Sequence, residues 1–452
     1  MRSALHAVLC VAYPVVAAGA YVVAAQPAGT RGIGHIALHL TLTAIMLVVW
    51  VVGREVPGGA RRVWWTGVLT YVLLVAVPSY ASHDVLRYLW DGHVLLSGAD
   101  PYRLAPAAGA IGGWALPPDN LDYPTLYPPG ALVLFAAAAA AGPSLGPWVF
   151  RAMVLAAALA VVVGGARLLE RRGAERHVAL LALSPLLLLE AQVGAHLDVV
   201  ATAALVGALG LYQRERLGWA GVVLGVGGLI KLVPLVVVLP LALAAGAGGG
   251  LLVVSAAATV ALGYGGAVAA GLTPLGSLPA FFGQWEFGSP VFGALARVLP
   301  DPSARGVLAV LALGVYGAIV AMAARTAGDG RGVRWGRRAL VVPLALSPVV
   351  FPWYLVPLVP LVALRPSAAL VAWLAAVPLT YEVIDRFDLG RGWEPAAWPL
   401  LCIAGAWAAG WIVDGIRTWR PGTRFTTPPA LPAPARNARA LVEDVGSAAC
   451  ES

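Results

Sequence analysis

Charged residues are scarce in this chain of 452 residues. Only 12% are Asp, Glu, Lys or Arg, against about 25% in an ordinary soluble domain. Apolar residues make up 60% of the chain, and they recur in runs of about 20 residues, the length that a membrane-spanning helix needs. The polar breaks between runs are too short to hold a separate domain. The composition therefore excludes a soluble multidomain protein and predicts an all-α polytopic membrane protein.

Lysine and cysteine are nearly absent. Lys231 is the single lysine, and most of the net charge of +8 comes from arginines at the ends of apolar segments, where cytoplasmic membrane loops carry positive charge. A basic face interleaved with aromatic residues is missing, which excludes a nucleic-acid-binding protein. The three cysteines have the spacing of neither a disulfide framework nor a metal site. No metal or other cofactor is predicted.

The apolar segments predict about 12 to 14 transmembrane helices. The first run, 3–25, is longer than the hydrophobic region of a signal peptide, which is about 7 to 15 residues, so we interpret it as a retained span. Segment 129–142 is interpreted as a half-helix at the outer boundary. We expect residues 1–417 to form one transmembrane domain and the Pro-, Ala- and Thr-rich segment 418–452 to be a disordered cytoplasmic tail.

Arginines in short loops predict the orientation in the plasma membrane. With a cytoplasmic N-terminus and a half-helix at 129–142, every arginine group lies on the cytoplasmic side. The opposite side then collects the long loop 81–128 and most of the polar residues, which predicts an extracytoplasmic site. The arginine groups are Arg54, Arg61 and Arg62; Arg171, Arg172 and Arg176; Arg214 and Arg216; Arg331, Arg334, Arg337 and Arg338; and Arg417, Arg420 and Arg424.

The densest polar segment lies in this long loop. On a helix, Asp84, Arg87, Tyr88 and Asp91 follow the spacing i, i+3, i+4 and i+7 and share one face. The other face is apolar, which predicts an amphipathic helix in the membrane interface with Trp90 near the lipid headgroups. An alternative interpretation is a lid helix whose carboxylates and arginine only neutralise one another.

Other ionisable residues lie near the outer ends of apolar segments, where such groups are expensive and by default functional. Glu190, His196 and Asp198 are close in sequence, and the last two could simply pair with each other. Lys231 is surrounded by apolar residues and needs an anion, for which a lipid phosphate would serve. The alternative for Lys231 is a side chain that extends to the interface without a specific partner.

Three aromatic segments complete the set of candidates. The proline-rich segment 122–129 contains Tyr127 and suits a rigid sugar-binding wall or a structural corner. Segments 281–287 and 347–354 are either part of a site or an ordinary aromatic belt. Nucleotide-binding loops and hydrolase motifs are absent from the sequence, so an activated sugar donor at an exterior site would have to be carried by a lipid.

Taken in order, these motifs resemble bacterial GT-C glycosyltransferases, and most of all the polyprenyl-phosphate-mannose-dependent mannosyltransferases of actinobacteria. The resemblance runs from Ser82 to Leu364, and its combination of motifs is specific although each motif alone is weak. The motifs are Ser82-His83-Asp84, Trp90-Asp91-Gly92, Gly98 to Tyr102, Tyr123 to Pro129, His196-Leu197-Asp198, the span with Lys231, and Trp353-Tyr354-Leu355.

The resemblance implies a GT-C-like fold and an inverting transfer of a sugar, expected to be mannose, from a polyprenyl-phosphate donor. The acceptor would be a glycolipid or glycan of the cell envelope. In the family, an acidic residue of the first large exterior loop is the catalytic base, and Asp84 stands at that position. Many members carry a His before the Pro-Trp-Tyr motif, where this chain has Phe351, so it departs from the family pattern at a contact to the donor phosphate.

The remaining site residues are predicted as follows. Lys231, Arg87 and His196 would bind the donor phosphate, since cations are favourable where negative charge develops. Residues expected to contact sugar or acceptor are Asp91, Tyr88, Tyr102, Tyr127, Asp198, Trp285, Glu286, Trp353 and Tyr354.

Two hypotheses from other functional classes remain. One is a transporter or lipid-linked sugar flippase, and the other is a membrane scaffold.

Overall fold

The structure of the protein is a computed structural model that describes residues 1–109, 114, 116–117, 119–327 and 332–419. Over these residues the regular structure is helical and no strand forms; isolated β-bridges join Phe287 and Gly288 to Val349. The predicted all-α polytopic membrane protein is confirmed. The predicted disordered tail lies outside the described residues from position 420 onward, and residues 418 and 419 instead end the last helix.

The α-helices, numbered in chain order, have the following bounds: α1 (Arg2–Ala17), α2 (Gly19–Ala24), α3 (Arg31–Gly53), α4 (Gly59–Leu73), α5 (Asp84–Leu96), α6 (Pro129–Ala139), α7 (Gly142–Glu170), α8 (Ala179–Ala182), α9 (Pro185–Gln192), α10 (Asp198–Tyr212), α11 (Leu217–Ile230), α12 (Val238–Ala245), α13 (Gly249–Ala269), α14 (Leu278–Gln284), α15 (Pro290–Leu295), α16 (Asp301–Arg325), α17 (Gly332–Leu346), α18 (Leu358–Leu364), α19 (Ala368–Ala376), α20 (Glu382–Asp388) and α21 (Ala397–Trp419). Short 3₁₀ helices cover Pro106–Ala108, Glu175–His177, Val233–Val237, Gly246–Gly248, Pro352–Leu355 and Val377–Tyr381.

In the described part of the chain, 7 helical stretches are long and apolar enough to cross a membrane. Further apolar helices are shorter, so the predicted number of spans stays a prediction. The long stretches are Arg2–Ala24, Arg31–Gly53, Gly142–Glu170, Val233–Ala269, Asp301–Arg325, Ala368–Asp388 and Ala397–Arg417.

Two apolar segments do not form a single full-length membrane span. Helix α6 has 11 residues, about 16 Å of rise, which is half the thickness of a bilayer core of about 30 Å. This length fits the half-helix predicted for 129–142. The apolar run 178–193 is interrupted at Ser184, whose hydroxyl accepts a hydrogen bond from the backbone N–H of Leu187 at the start of α9. Pro185 occupies the first position of α9, where a proline is tolerated.

Helices α10 and α11 separate two chemically different ends of the bundle. At one end, Tyr212 closes α10 and interacts electrostatically with Arg172, and Arg216 precedes α11. At the other end lie Asp198, the first residue of α10, and Lys231, which follows α11. The two helices pack against each other. The acidic and basic side chains of the site are therefore held about 22 Å from the arginine-rich end.

Other arginine groups converge on the same end. Arg54 interacts electrostatically with Arg176 and Arg417, and Arg172 does so with Arg365. These residues come from loops that are far apart in sequence. Their convergence agrees with the predicted segregation of positive charge to one side of the protein.

Candidate active site

Helix α5 forms one wall of the site, and its polar face is the one predicted from sequence. The Tyr88 hydroxyl donates to Asp84 Oδ2 at 3.0 Å, and Arg87 Nε donates to Asp91 Oδ1 at 2.9 Å. Both pairs have the i,i+4 spacing of helical neighbours. The Asp84 side chain is 30% exposed, whereas that of Asp91 is fully buried. Asp84 is therefore the carboxylate of α5 that a substrate can contact.

Part of the apolar face of α5 lies in the protein interior: Leu89 and Trp90 are buried, whereas Leu86 and Leu96 are exposed. Trp90 has no exposed surface, so its predicted position near the headgroups is wrong. The helix packs on α6, and a Cβ atom on Gly92 would lie 2.3 Å from the backbone carbonyl of Phe135. Only glycine permits this approach, so α5 packs closely against α6 along this face.

Arg87 connects α5 to the loop that covers it. In addition to its ion pair with Asp91, Nη1 donates to the carbonyl of Asn120 at 3.1 Å and Nη2 to that of Tyr123 at 2.7 Å. The side chain is 12% exposed. Arg87 thus positions loop residues 120–123 beside the Asp84 face.

A buried acid-imidazole pair lies opposite Asp84. His196 Nδ1 is 2.8 Å from Glu190 Oε2, and His196 Nε2 is 3.8 Å from Asp84 Oδ2. The Tyr381 hydroxyl donates to Glu190 and lies 2.8 and 2.9 Å from its two oxygens. The suggested pairing of His196 with Asp198 is therefore wrong, because Nδ1 of the imidazole contacts Glu190 and Nε2 faces Asp84.

Lys231 has a protein anion as its partner. Its Nζ donates to Asp198 Oδ2 at 2.8 Å and lies 4.6 Å from the ring centroid of Tyr354 and 5.8 Å from that of Tyr127. The lysine backbone is extended at the break between α11 and the 3₁₀ helix Val233–Val237. The alternative of a lysine without a specific partner is wrong. The Lys231 side chain remains 14% exposed, so it is not fully enclosed by its partners.

Stacked rings connect the region near the β-bridge to His196. Phe287 stacks on Phe351 at 4.2 Å, Phe351 on Trp353 at 4.4 Å, and Trp353 on His196 at 4.0 Å between centroids. Phe351, at the position where the resemblance implies a histidine, is thus an inner member of a packed stack. It fixes the Trp353 ring against the imidazole.

A match to a known family shows which family the chain belongs to. A family model described as the alpha-(1->6)-mannopyranosyltransferase N-terminal domain matches residues 2–247, more than half of the chain. The chain belongs to this family. It is a membrane glycosyltransferase that uses mannose, as the motifs from Ser82 onward indicated. Comparisons with curated proteins and with solved structures gave no match.

The cluster of the mannosyltransferase unites residues from distant parts of the chain. The Tyr127 hydroxyl donates to the Tyr88 hydroxyl at 3.5 Å, which joins the α5 wall to the Lys231 side. Asp84 also interacts electrostatically with Asp198 and with Tyr354, so the α5 wall and the Lys231 side belong to the same cluster. The predicted residues brought together are Asp84, Arg87, Tyr88, Asp91, Tyr127, His196, Asp198, Lys231, Trp353 and Tyr354.

Three predicted sugar-contacting residues lie elsewhere. Tyr102 is buried, and its hydroxyl donates to the Tyr127 carbonyl at 2.9 Å. Trp285 packs edge-on against Tyr123, next to the loop that Arg87 holds. Glu286 is exposed, and within the described residues no hydrogen bond or ion pair joins it to the cluster.

Sequence reasoning did not assign Glu190 and Tyr381 to the site. Glu190 stood out as an ionisable residue at membrane depth, but its partner was not identifiable. Tyr381 lies 191 positions further along the chain, and a single buried tyrosine in an apolar segment carries no signal of its own.

Two pKa shifts outside the spanning segments describe the electrostatics of α5 and its cap. Burial raises the pKa of Asp91, and the Arg87 guanidinium opposes the rise. The hydrogen bond from His83 to Asp119 raises the pKa of His83, assisted by the charges of Asp84 and Asp388. No group of three or more His, Cys, Asp or Glu residues suited to a metal ion occurs over the described ranges.

Proposed function

We propose that the enzyme transfers mannose from a polyprenyl-phosphate donor to a hydroxyl of an envelope glycolipid or glycan at the extracytoplasmic face of the plasma membrane. The observation that carries the proposal is the presence in one cluster of a carboxylate, Asp84, whose side chain is 30% exposed, and a lysine, Lys231, whose side chain is 14% exposed. Base and phosphate-binding cation are what an inverting transfer from a phosphate ester requires.

Asp84 is the general base. It removes the proton of the acceptor hydroxyl while that oxygen forms a bond to the anomeric carbon and the bond from this carbon to the phosphate oxygen breaks. The polyprenyl phosphate leaves from the opposite face with the electron pair. The hydrogen bond from Tyr88 to Oδ2 holds the carboxylate in place, and its partial exposure leaves room for the acceptor.

Lys231 is the principal group for the leaving phosphate. Asp198 and the faces of Tyr354 and Tyr127 fix the ammonium from several sides, so its charge is oriented before the substrate arrives. Arg87 already donates to Asp91, Asn120 and Tyr123. It therefore contributes by shaping the loop more than by direct contact with the donor.

A lipid-borne donor fits the position of the site along the bundle. Helix α10 has 15 residues and α11 has 14, so Asp198 and Lys231 lie about 22 Å from the arginine-rich end. A bilayer core is about 30 Å thick. With the arginines in the cytoplasm, the cluster lies near the outer interface, at the depth of a lipid-linked phosphate.

The test uses the purified protein in lipid vesicles with polyprenyl-phosphate mannose labelled in the sugar and an extract of envelope glycolipids. We expect label to move to a glycolipid with the wild type and not with Asp84→Asn. Asp301→Asn is the matched control. Like Asp84, Asp301 is the first residue of a helix, but it lies in α16 and pairs with Arg305. The control should retain activity.

Distinct results would overturn the proposal. Normal turnover by Asp84→Asn would remove the base assignment. Transfer from a different polyprenyl-phosphate sugar alone would change the sugar. Movement of the labelled lipid across the vesicle membrane without any transfer would favour the transporter hypothesis instead.

A further inference from the structure

Glu190 is a buried carboxylate for which the transfer step above has no use. Its side chain is 2% exposed and lies in α9, within the bundle. It accepts from Tyr381 through both oxygens and contacts His196 Nδ1. A buried charge is costly unless it is paired and hydrogen-bonded, and two side chains, those of Tyr381 and His196, hold this one.

The Glu190 contact determines which nitrogen of His196 faces Asp84. A carboxylate only accepts hydrogen bonds, so Nδ1 carries the proton and donates to Glu190. The other nitrogen, Nε2, is fully enclosed and has no hydrogen-bond partner among the residues that the structure describes. It points toward Asp84 Oδ2 at 3.8 Å, a distance that a small rotation of the Asp84 side chain or one bridging water would close.

The imidazole is also held against rotation. Trp353 stacks on one face at 4.0 Å, and a Cβ atom on Gly194 would lie only 2.3 Å from Nδ1. The backbone N–H of His196 donates to the Glu190 carbonyl at 3.0 Å. Ala195, between these residues, has φ of 49°, a left-handed conformation that is strained for alanine and typical of functional sites.

We propose that His196 receives the proton that Asp84 takes from the acceptor hydroxyl, and that Glu190 and Tyr381 are positioning residues for this relay. The inference rests on the proposed transfer reaction. The O–H bond of the neutral Asp84 carboxyl breaks, an N–H bond forms at Nε2, and Asp84 returns to its anionic form. The imidazolium is balanced by the Glu190 carboxylate until the product has left, after which the proton returns to Asp84, whose side chain is 30% exposed, and passes from there to water.

In an acid-imidazole pair, the carboxylate orients the imidazole and stabilises its charged form. Glu190 and His196 form such a pair. Asp84 alone would remain protonated beside the new glycosidic oxygen and favour the reverse reaction, in which that oxygen takes the proton back. The groups that face His196 from the surrounding elements are Asp84 of α5, Glu190 of α9, Asp198 of α10, His35 of α3 and, through Glu190, Tyr381.

The pH dependence of kcat in the vesicle assay tests the relay. Glu190→Gln keeps the shape and the acceptor oxygen but removes the charge that favours protonated imidazole. We expect kcat to fall about 100-fold, KM for the donor to change less than about twofold, and the acid limb of the profile to move about one pH unit lower. Tyr381→Phe should shift the limb in the same direction by less.

Glu382→Gln is the matched control, because Glu382 is also a buried glutamate but accepts from the backbone of Ala396. It should lower stability without moving the acid limb. If Glu190→Gln is not recovered in folded form, Tyr381→Phe, which removes one hydroxyl, provides the comparison. A Glu190→Gln profile that matches that of Glu382→Gln would overturn the relay and leave the transferase intact, whereas a wild type without transfer would overturn both.

Discussion

Asp84 and Asp91 occupy the same helix face two turns apart, yet the structure uses them in different ways. Asp91 is fully buried and closed by Arg87, while Asp84 keeps 30% of its side chain exposed and faces His196. The residue type and the helical register are shared, so neither determines the role. The difference comes from what covers each carboxylate, which the packing of α5 on α6 and the loop at 120–123 decides.

The largest effect is expected at the exposed member of this pair. Asp84→Asn should reduce transfer by about 10²- to 10⁴-fold, the contribution of a general base, with little change in the thermal unfolding midpoint. Side-by-side kinetics and thermal unfolding of the purified variant measure both. A strong loss of stability would make Asp84 a structural residue like Asp91 and break the contrast.

The next effect concerns the partner of Asp84. Gly194→Ala places a methyl group against the His196 ring and should reduce transfer about 10-fold or more, since misplaced catalytic groups are costly. Ala195→Gly, at the adjacent position, relieves a left-handed backbone and should leave transfer unchanged while raising stability slightly. Similar activity of the two variants would show that the imidazole position is unimportant.

For Asp91, the buried carboxylate of the pair, we expect a loss of stability and little loss of transfer. Asp91→Asn removes the charge that pairs with Arg87 and should destabilise the fold by about 3 kcal/mol. The remaining folded enzyme should retain most of its transfer rate. Thermal unfolding together with activity per folded molecule measures this. A folded variant that has lost all transfer would assign Asp91 to the substrate.

The smallest effect is at His83, directly before Asp84. Its raised pKa means that protonated His83 stabilises the fold fully below its ordinary value of 6.5, and that this stabilisation is lost as pH rises through the higher folded-state pKa. The pair with Asp119 is partly exposed, so screening keeps the effect small. The unfolding midpoint of Asp119→Asn should fall below that of the wild type at about pH 6 and approach it at about pH 8. An offset independent of pH would contradict this.

Local geometry made part of the site predictable from sequence. The i,i+4 spacing in α5 placed Tyr88 on Asp84 and Arg87 on Asp91, because helix geometry brings such pairs together whatever surrounds them. The break at Lys231 was predictable as well, since Pro234 prevents the helix from continuing. The number of spans and the orientation depend on the surrounding membrane, and the burial of Trp90 depends on how α5 packs on its neighbours.

By itself, the sequence determined that this chain is a helical membrane protein, where its arginines accumulate and which residues of α5 share a face. Composition and helical periodicity carry that information along the chain. Only the tertiary structure decided that His196 pairs with Glu190, that Asp198 pairs with Lys231, that Trp90 is buried and that Glu286 stands apart. His196 meets Glu190 because the irregular turn between α9 and α10 folds back on the end of α9, and Asp198 meets Lys231 because α10 and α11 pack side by side. A single sequence provides no periodic signal for either arrangement.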